Sequence, residues 1–201
     1  MEKSYAKTGR RDAGQVLANG GLGMVLCILN AIWPQPEWAY LYIGIMATVT
    51  ADTWATEIGS LSSRPPRSVL NGKVLSAGTS GGVTILGSAA AAAGGIMIGG
   101  CAWLFEALPV MDFQVRSLLM WVTLGLISGI AGAFTDSILG ASVQMMYKCS
   151  VCDKEVEVMH HCEQPTKKFR GWISMNNDAV NMWSSMVGAF VACMVGLLVG
   201  L

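Results

Sequence analysis

Thr50-Ala51-Asp52-Thr53-Trp54-Ala55-Thr56-Glu57-Ile58-Gly59 closes a long apolar segment on two carboxylates. A loop carrying Arg64, Arg67 and Lys73 follows, and Gly78-Thr79-Ser80-Gly81-Gly82 then opens the next apolar segment. A charged side chain at the centre of a membrane helix costs about 2.5 to 3.5 kcal/mol on insertion scales, so the pair Asp52 and Glu57 demands a reason. On an ideal helix the two are about 140° apart. Either the helix unwinds near Gly59 and lets them converge, or each faces a different neighbour. The plainer account is interhelical hydrogen bonding or an ion pair with Arg64 or Lys73. The chemical account is magnesium held by hard oxygen ligands beside substrate phosphates.

The rest of the chain supports a membrane setting. Of 201 residues, 53% are hydrophobic and 13% charged, with a mean hydropathy of +0.50; soluble domains carry about twice that share of charge. Some 20 apolar residues span a bilayer as a helix, and five such runs occur, near 13–33, 38–60, 79–105, 114–136 and 178–200. They predict an all-α, polytopic membrane helix bundle of five transmembrane helices in one domain, residues 1–201, with 147–176 as a cytoplasmic loop. Pro34, Pro36, Pro65, Pro66, Pro109 and Pro165 all fall between the runs, where a missing backbone donor costs least. The N-terminus is polar and no cleavage pattern follows an apolar core, so no signal peptide is expected.

Lys and Arg gather before the first run and in the loops after the second and fourth. The positive-inside rule then places the N-terminus in the cytoplasm and the C-terminus outside. This makes a multi-pass protein of the cell membrane, with Asp52, Glu57, Gly78 to Gly82, Asp136 and Asn176 to Asn181 all at the cytoplasmic edge. The 13 basic and 13 acidic residues cancel, which leaves no global field to attract nucleic acid.

Smaller patterns refine this frame. Gly125, Gly129, Gly132, Asp136 and Gly140 fall on one helical stripe, and Gly87, Ala91, Gly95 and Gly99 on another. Such stripes let helices approach closely in lipid, within one chain or between copies in a homo-oligomer. Thr50-Ala51-Asp52-Thr53 is echoed by Phe134-Thr135-Asp136-Ser137, each ahead of a basic loop. A glycine cluster at a helix start offers backbone donors and the positive end of the dipole to a phosphate. Close packing is its plain alternative, and the chain has no Gly-x4-Gly-Lys-Ser/Thr P-loop. Asp136 at an inner helix end would meet an unfavourable dipole, so capping does not explain it. Asn177, Asp178 and Asn181 add oxygen ligands and amide donors, while Asp178 equally suits a helix cap. Among six cysteines, Cys149 and Cys152 with His161 and Cys162 have the spacing of a zinc knuckle, with His160 as the alternative nitrogen ligand.

Five blocks carry a family likeness: Gly9-Arg10-Arg11-Asp12, Ala51 to Gly59, Gly78-Thr79-Ser80-Gly81-Gly82-Val83-Thr84, Asp136-Ser137-x-Leu139-Gly140-Ala141 and Asn177-Asp178-Ala179-Val180-Asn181. In order and content they resemble the integral membrane family known as domain of unknown function 92, or transmembrane protein 19, from residue 9 to 188. The arrangement is more remotely similar to CTP-using polyprenol and phytol kinases and to lipid cytidylyltransferases. The resemblance implies the activity assigned to plant members of the family, phytyl-phosphate kinases that convert an isoprenoid monophosphate to the diphosphate. Family members usually carry further spans ahead of the Gly-Arg-Arg-Asp block, so a short member or a fragment is expected.

The expectation is therefore a membrane-embedded phosphotransferase, a CTP- or ATP-dependent kinase of an isoprenoid monophosphate. A lipid phosphate acceptor is already anionic and needs no strong general base, so catalysis reduces to positioning and charge neutralisation. Asp52 and Glu57 are assigned to magnesium, and Gly78, Thr79, Ser80, Gly81 and Gly82 with Lys73 to the nucleotide phosphates. Asp136, Asn177, Asp178 and Asn181 are assigned to a second layer or second metal, and Arg11 and Asn19 to the acceptor phosphate. The implied partners are a nucleoside triphosphate, a lipid phosphate and membrane lipid. The alternatives are a transporter or carrier for a small anion or lipid, and a non-catalytic membrane scaffold. Transporters place charge near the midplane, whereas Asp52 lies about 9 Å from the inner end of its span at helical rise.

Overall fold

The computed structural model describes residues 13–200. Its helices are α1 (Ala13–Ile32), α2 (Pro36–Gly59), α3 (Ile85–Val110), α4 (Val115–Ser142) and α5 (Asn177–Val199). Local chemistry sets their ends. Pro36 occupies the first turn of α2, where a missing N–H would have had no helical partner. Thr84 caps α3 by accepting from the Gly87 N–H at 2.9 Å, and Asn176 caps α5 by accepting from the Ala179 N–H at 2.9 Å. Asp178 is therefore not the cap of α5. It sits in the first turn, where the dipole favours an anion.

Helix α2 is the axis of the bundle and packs against each of the other four. Helices α1, α3, α4 and α5 are long and apolar enough to cross a membrane on their own composition. With Glu37, Asp52 and Glu57, α2 is not, yet its 24 residues reach about 36 Å, and its neighbours shelter it. Toward the end of α2 the interior is small and polar: Ala51, Ala91 and Ala133 pack together, and Thr48, Ser128, Ser184 and Ser185 are buried, while Tyr40, Trp121 and Leu124 cluster toward the other end. Many large apolar side chains point outward instead, with Phe105 76% and Leu198 80% exposed. This inversion suits lipid, which removes any hydrophobic drive to bury them and leaves close packing to hold the helices.

The glycine stripes meet within the chain. A methyl group on Gly95 would lie 2.5 Å from the Gly125 carbonyl oxygen, and one on Gly99 would overlap that of Trp121. Gly132 of α4 and Gly188 of α5 both receive the Thr48 side chain of α2.

Several boundaries differ from expectation. Helix α3 begins at Ile85 rather than 79, because Gly78 and Gly81 have left-handed φ of 84° and 82°. The turn then feeds β2 (Gly82–Val83), which pairs antiparallel with β1 (Arg67–Ser68). The glycine run is a turn ahead of the helix and does not open it. Helix α4 continues to Ser142, so Asp136 is inside the helix and not at its end. Pro109 lies inside α3, close to the left-handed residue Met111 (φ 52°) that ends it, and not in a loop. Helix α2 stays helical to Gly59 without unwinding. Residues 147–176 build short strands: β3 (Met146–Lys148), β4 (Glu155–Val156), β5 (His160–His161), β6 (Gln164–Pro165) and β7 (Lys167–Arg170). They pair as β4-β3-β7 and β5-β6, which puts Pro165 in a strand as well.

Gly81 is fixed twice, by its φ and by contact with the end of α4. A methyl there would run into Ala141, whereas Gly72, left-handed at φ 69°, has nothing within 4 Å. Gly81→Ala is expected to lower the melting midpoint in detergent more than Gly72→Ala. Equal shifts would mean that backbone strain alone matters and that the turn does not depend on its contact with α4.

Candidate functional site

A cleft of about 930 Å³ lies at the end of the bundle where α2 and α4 finish and α3 and α5 begin. Ligand sites are commonly about 300 to 1,000 Å³. Helix α2 lines it with Asp52, Thr53, Thr56 and Glu57, α4 with Asp136, and α5 with Asn177 and Asn181. Helix α1 adds Gln15 and Asn19, one turn apart, and the whole turn from Gly78 to Gly82 adjoins them. Asp52 and Glu57 thus reach one cleft although α2 does not unwind, because the cleft wraps the end of that helix.

The two echoed aspartates meet here. Asp52 and Asp136 stand on neighbouring, parallel helices and are near enough to feel each other's charge. The Ser184 hydroxyl of α5 donates to Asp136 Oδ2 at 3.2 Å. Asp52 has neither a hydrogen bond nor an ion pair among the described residues. It lies seven residues before the end of α2, about 10 Å into the bundle at helical rise.

A polar wall closes the side of the cleft next to α4. Ser80 Oγ donates to Gln144 Oε1 at 2.7 Å, and Gln144 Nε2 donates to Glu157 Oε1 at 2.9 Å. Arg170 at the end of β7 donates to the carbonyls of Gly140 and Ala141 at 3.0 and 2.8 Å and sits 3.7 Å from Glu155. Those carbonyls lie in the last turn of α4, where helical partners run out, so the arginine supplies the cap that the sequence lacks.

Four carboxylates, Asp52, Glu57, Asp136 and Glu157, face one cation, Arg64, among the described lining residues. A bare phosphate would be repelled by such a field and enters only with its own cations. Lys73, expected at the phosphates, is exposed on the hairpin that joins Arg67 to Val74 and does not line the cleft. Arg64 is the cation found there instead. Asp178 does not line the cleft either, and Arg11 lies outside the described residues.

Sequence reading missed Gln144 and Glu157. Alternating Glu155-Val156-Glu157-Val158 is the period-two signal of a strand with a polar face, and it was available. Gln144 carries no such signal, since its role depends on contacts with Ser80 and Glu157 from separate segments.

A second constellation stands in the β-rich loop. One ligand atom from each of Cys149, Cys152, His161 and Cys162 lies within 4.8 Å of the others. His160 is exposed and outside this group, so the geometry selects His161. The backbone N–H of Cys152, the His161 ring and the Val151 N–H, 3.4 Å away, outweigh burial and push the Cys149 thiol down to about 6.

The profile of an integral membrane protein family, DUF92, matches residues 1–189. Protein PGR of Arabidopsis thaliana is 32% identical over 208 aligned positions, covering 95% of this chain and 71% of the plant protein. An uncharacterized membrane protein of Methanocaldococcus jannaschii is 37% identical over 132 positions, 65% of this chain and 50% of its own length. No solved structure matches.

Proposed function

The chain belongs to the DUF92 family of integral membrane proteins, and from that premise we propose that its cleft is the active site of a magnesium-dependent phosphotransferase. In this reading the protein is a CTP- or ATP-dependent kinase of an isoprenoid monophosphate, working at the cytoplasmic face. The observation that carries the proposal is the make-up of the cleft: among the described residues, four carboxylates against one arginine, beside a glycine turn. The isoprenoid acceptor comes from the family resemblance.

The donor set fits magnesium, which is held by one or two carboxylates together with substrate phosphates and retained waters. Asp52 and Asp136, projecting from adjacent helices, would hold it, with Glu57 near the mouth. When bound, the ion neutralises charge on the phosphates. The remaining work falls to the chain. The turn at Gly78 to Gly82 brings backbone close to a phosphate, and Arg64 offsets its charge. Asn19, Asn177 and Asn181 offer neutral amide donors that orient the acceptor phosphate without competing for metal. No histidine lines the cleft among the described residues, in keeping with an acceptor that is already ionised.

The test is transfer of labelled terminal phosphate from CTP and from ATP to phytyl, farnesyl and undecaprenyl monophosphates by detergent-purified protein with magnesium. A labelled diphosphate is expected with at least one pair. Folded protein that yields none with any pair would overturn the reading. The second reading is a carrier, which two aspartates facing each other between parallel helices would also suit. Binding of magnesium nucleotide separates the two, since a carrier of small anions or lipids has no need of a nucleotide.

A further inference from the structure

We propose that Cys149, Cys152, His161 and Cys162 hold one zinc ion, and that this ion fixes the wall of the cleft from outside it. Tetrahedral zinc with bonds of about 2.3 Å to sulfur and about 2.05 Å to nitrogen sets sulfur–nitrogen edges of about 3.6 Å and sulfur–sulfur edges of about 3.8 Å. His161 Nδ1 lies 3.5 Å from Cys152 Sγ and 3.3 Å from Cys162 Sγ, and all four donor atoms fit within 4.8 Å. None of these cysteines is in a disulfide. Three sulfurs and one imidazole nitrogen select zinc over the hard cations that suit the carboxylate cleft.

The backbone is bent to bring these donors together. Asp153, Cys162 and Glu163 have left-handed φ of 61°, 53° and 56°, a conformation that cysteine and glutamate rarely adopt. Cys162 and Glu163 are the two central residues of the turn that pairs His161 with Gln164. Asn-Gly is the usual choice there. A cysteine in that place delivers its sulfur to His161 and to the Cys149-Cys152 knuckle, which gives the strain a purpose.

The knuckle sits at one end of the β3–β4 hairpin. Cys149 N–H donates to the Lys154 carbonyl at 3.0 Å, and three residues further along is Glu157, which accepts from Gln144. Holding the knuckle therefore holds Glu157 and Gln144 against the cleft. This holds whichever reaction the cleft performs.

Metal analysis of the full chain purified in detergent without chelator is expected to give one zinc per chain. The count should fall to background in Cys149→Ser/Cys152→Ser and stay unchanged in His160→Ala. Cobalt exchanged for zinc should show the intense visible bands of a four-coordinate thiolate site, and His161→Cys should keep the metal with stronger sulfur-to-cobalt absorption. The helices lie outside this loop, so helical circular dichroism and gel filtration report folding separately. Folded protein without metal, metal that survives loss of both knuckle cysteines, or a six-coordinate cobalt spectrum would each overturn the proposal.

Discussion

Asp52→Asn is expected to lower phosphate transfer on the order of 10³-fold, about 4 kcal/mol at 1.36 kcal/mol per decade, without weakening the bundle. Asp52 has no partner among the described residues, and Asp136 adds a like charge across the cleft. A half-buried carboxylate in that position destabilises the empty protein, as expected of a group that serves binding rather than folding. Asparagine keeps the shape and removes the charge, so the melting midpoint should hold or rise while affinity for magnesium, or for manganese read by spin resonance, falls. Asp136→Asn should act in the same direction, since an amide oxygen still accepts from Ser184. If both carboxylates hold one ion, the double variant should lose little more than either single one, because groups that act as a unit are not additive. Full turnover and unchanged manganese affinity in Asp52→Asn would remove the metal from this site.

The parts of this site that were legible in sequence are those where cost shows locally. A carboxylate in an apolar run is conspicuous, and Asp52, Glu57 and Asp136 do share the cleft. Helix number was legible too, because a bilayer demands a fixed length of apolar chain. Boundaries were harder. Asp136 in an otherwise apolar run looks like the end of a helix, yet α4 continues past it to Ser142 because the charge opens into the cleft rather than into lipid. Gly78 to Gly82 looks like a helix start, since small residues suit one, but only the backbone shows the left-handed φ that bars it. Arg64 and Lys73 are indistinguishable by composition, and loop geometry alone puts Arg64 at the cleft. The Ser80–Gln144–Glu157 chain joins segments far apart in sequence, with nothing in any one of them to announce it.

The seam between α3 and α4 should respond most sharply to added volume. Gly95→Ala and Gly99→Ala each place a methyl group against backbone carbonyls of the facing helix, at Gly125 and Trp121. A flexible side chain could swing away, but a carbonyl held in a helix cannot, so the helices themselves must separate. Overpacking typically costs about 1 to 3 kcal/mol, and here two such clashes on one seam should approach the order of 5 kcal/mol that holds a small domain folded. Gly100 is the internal control: it adjoins Gly99, yet a methyl there meets nothing within 4 Å. Gly100→Ala should therefore be neutral or raise the midpoint, by up to about 1 kcal/mol from helix propensity. The seam also bears on the cleft. Gly94 lies against Ala51, next to Asp52, so α3 sits between the seam and the carboxylate of α2. Forcing α3 from α4 shifts Asp52 relative to Asp136, and Gly95→Ala should lose metal affinity along with stability. Equal melting of the Gly99→Ala and Gly100→Ala proteins would show that α3 and α4 do not touch backbone to backbone, and the packing that places the two aspartates together would fall with it.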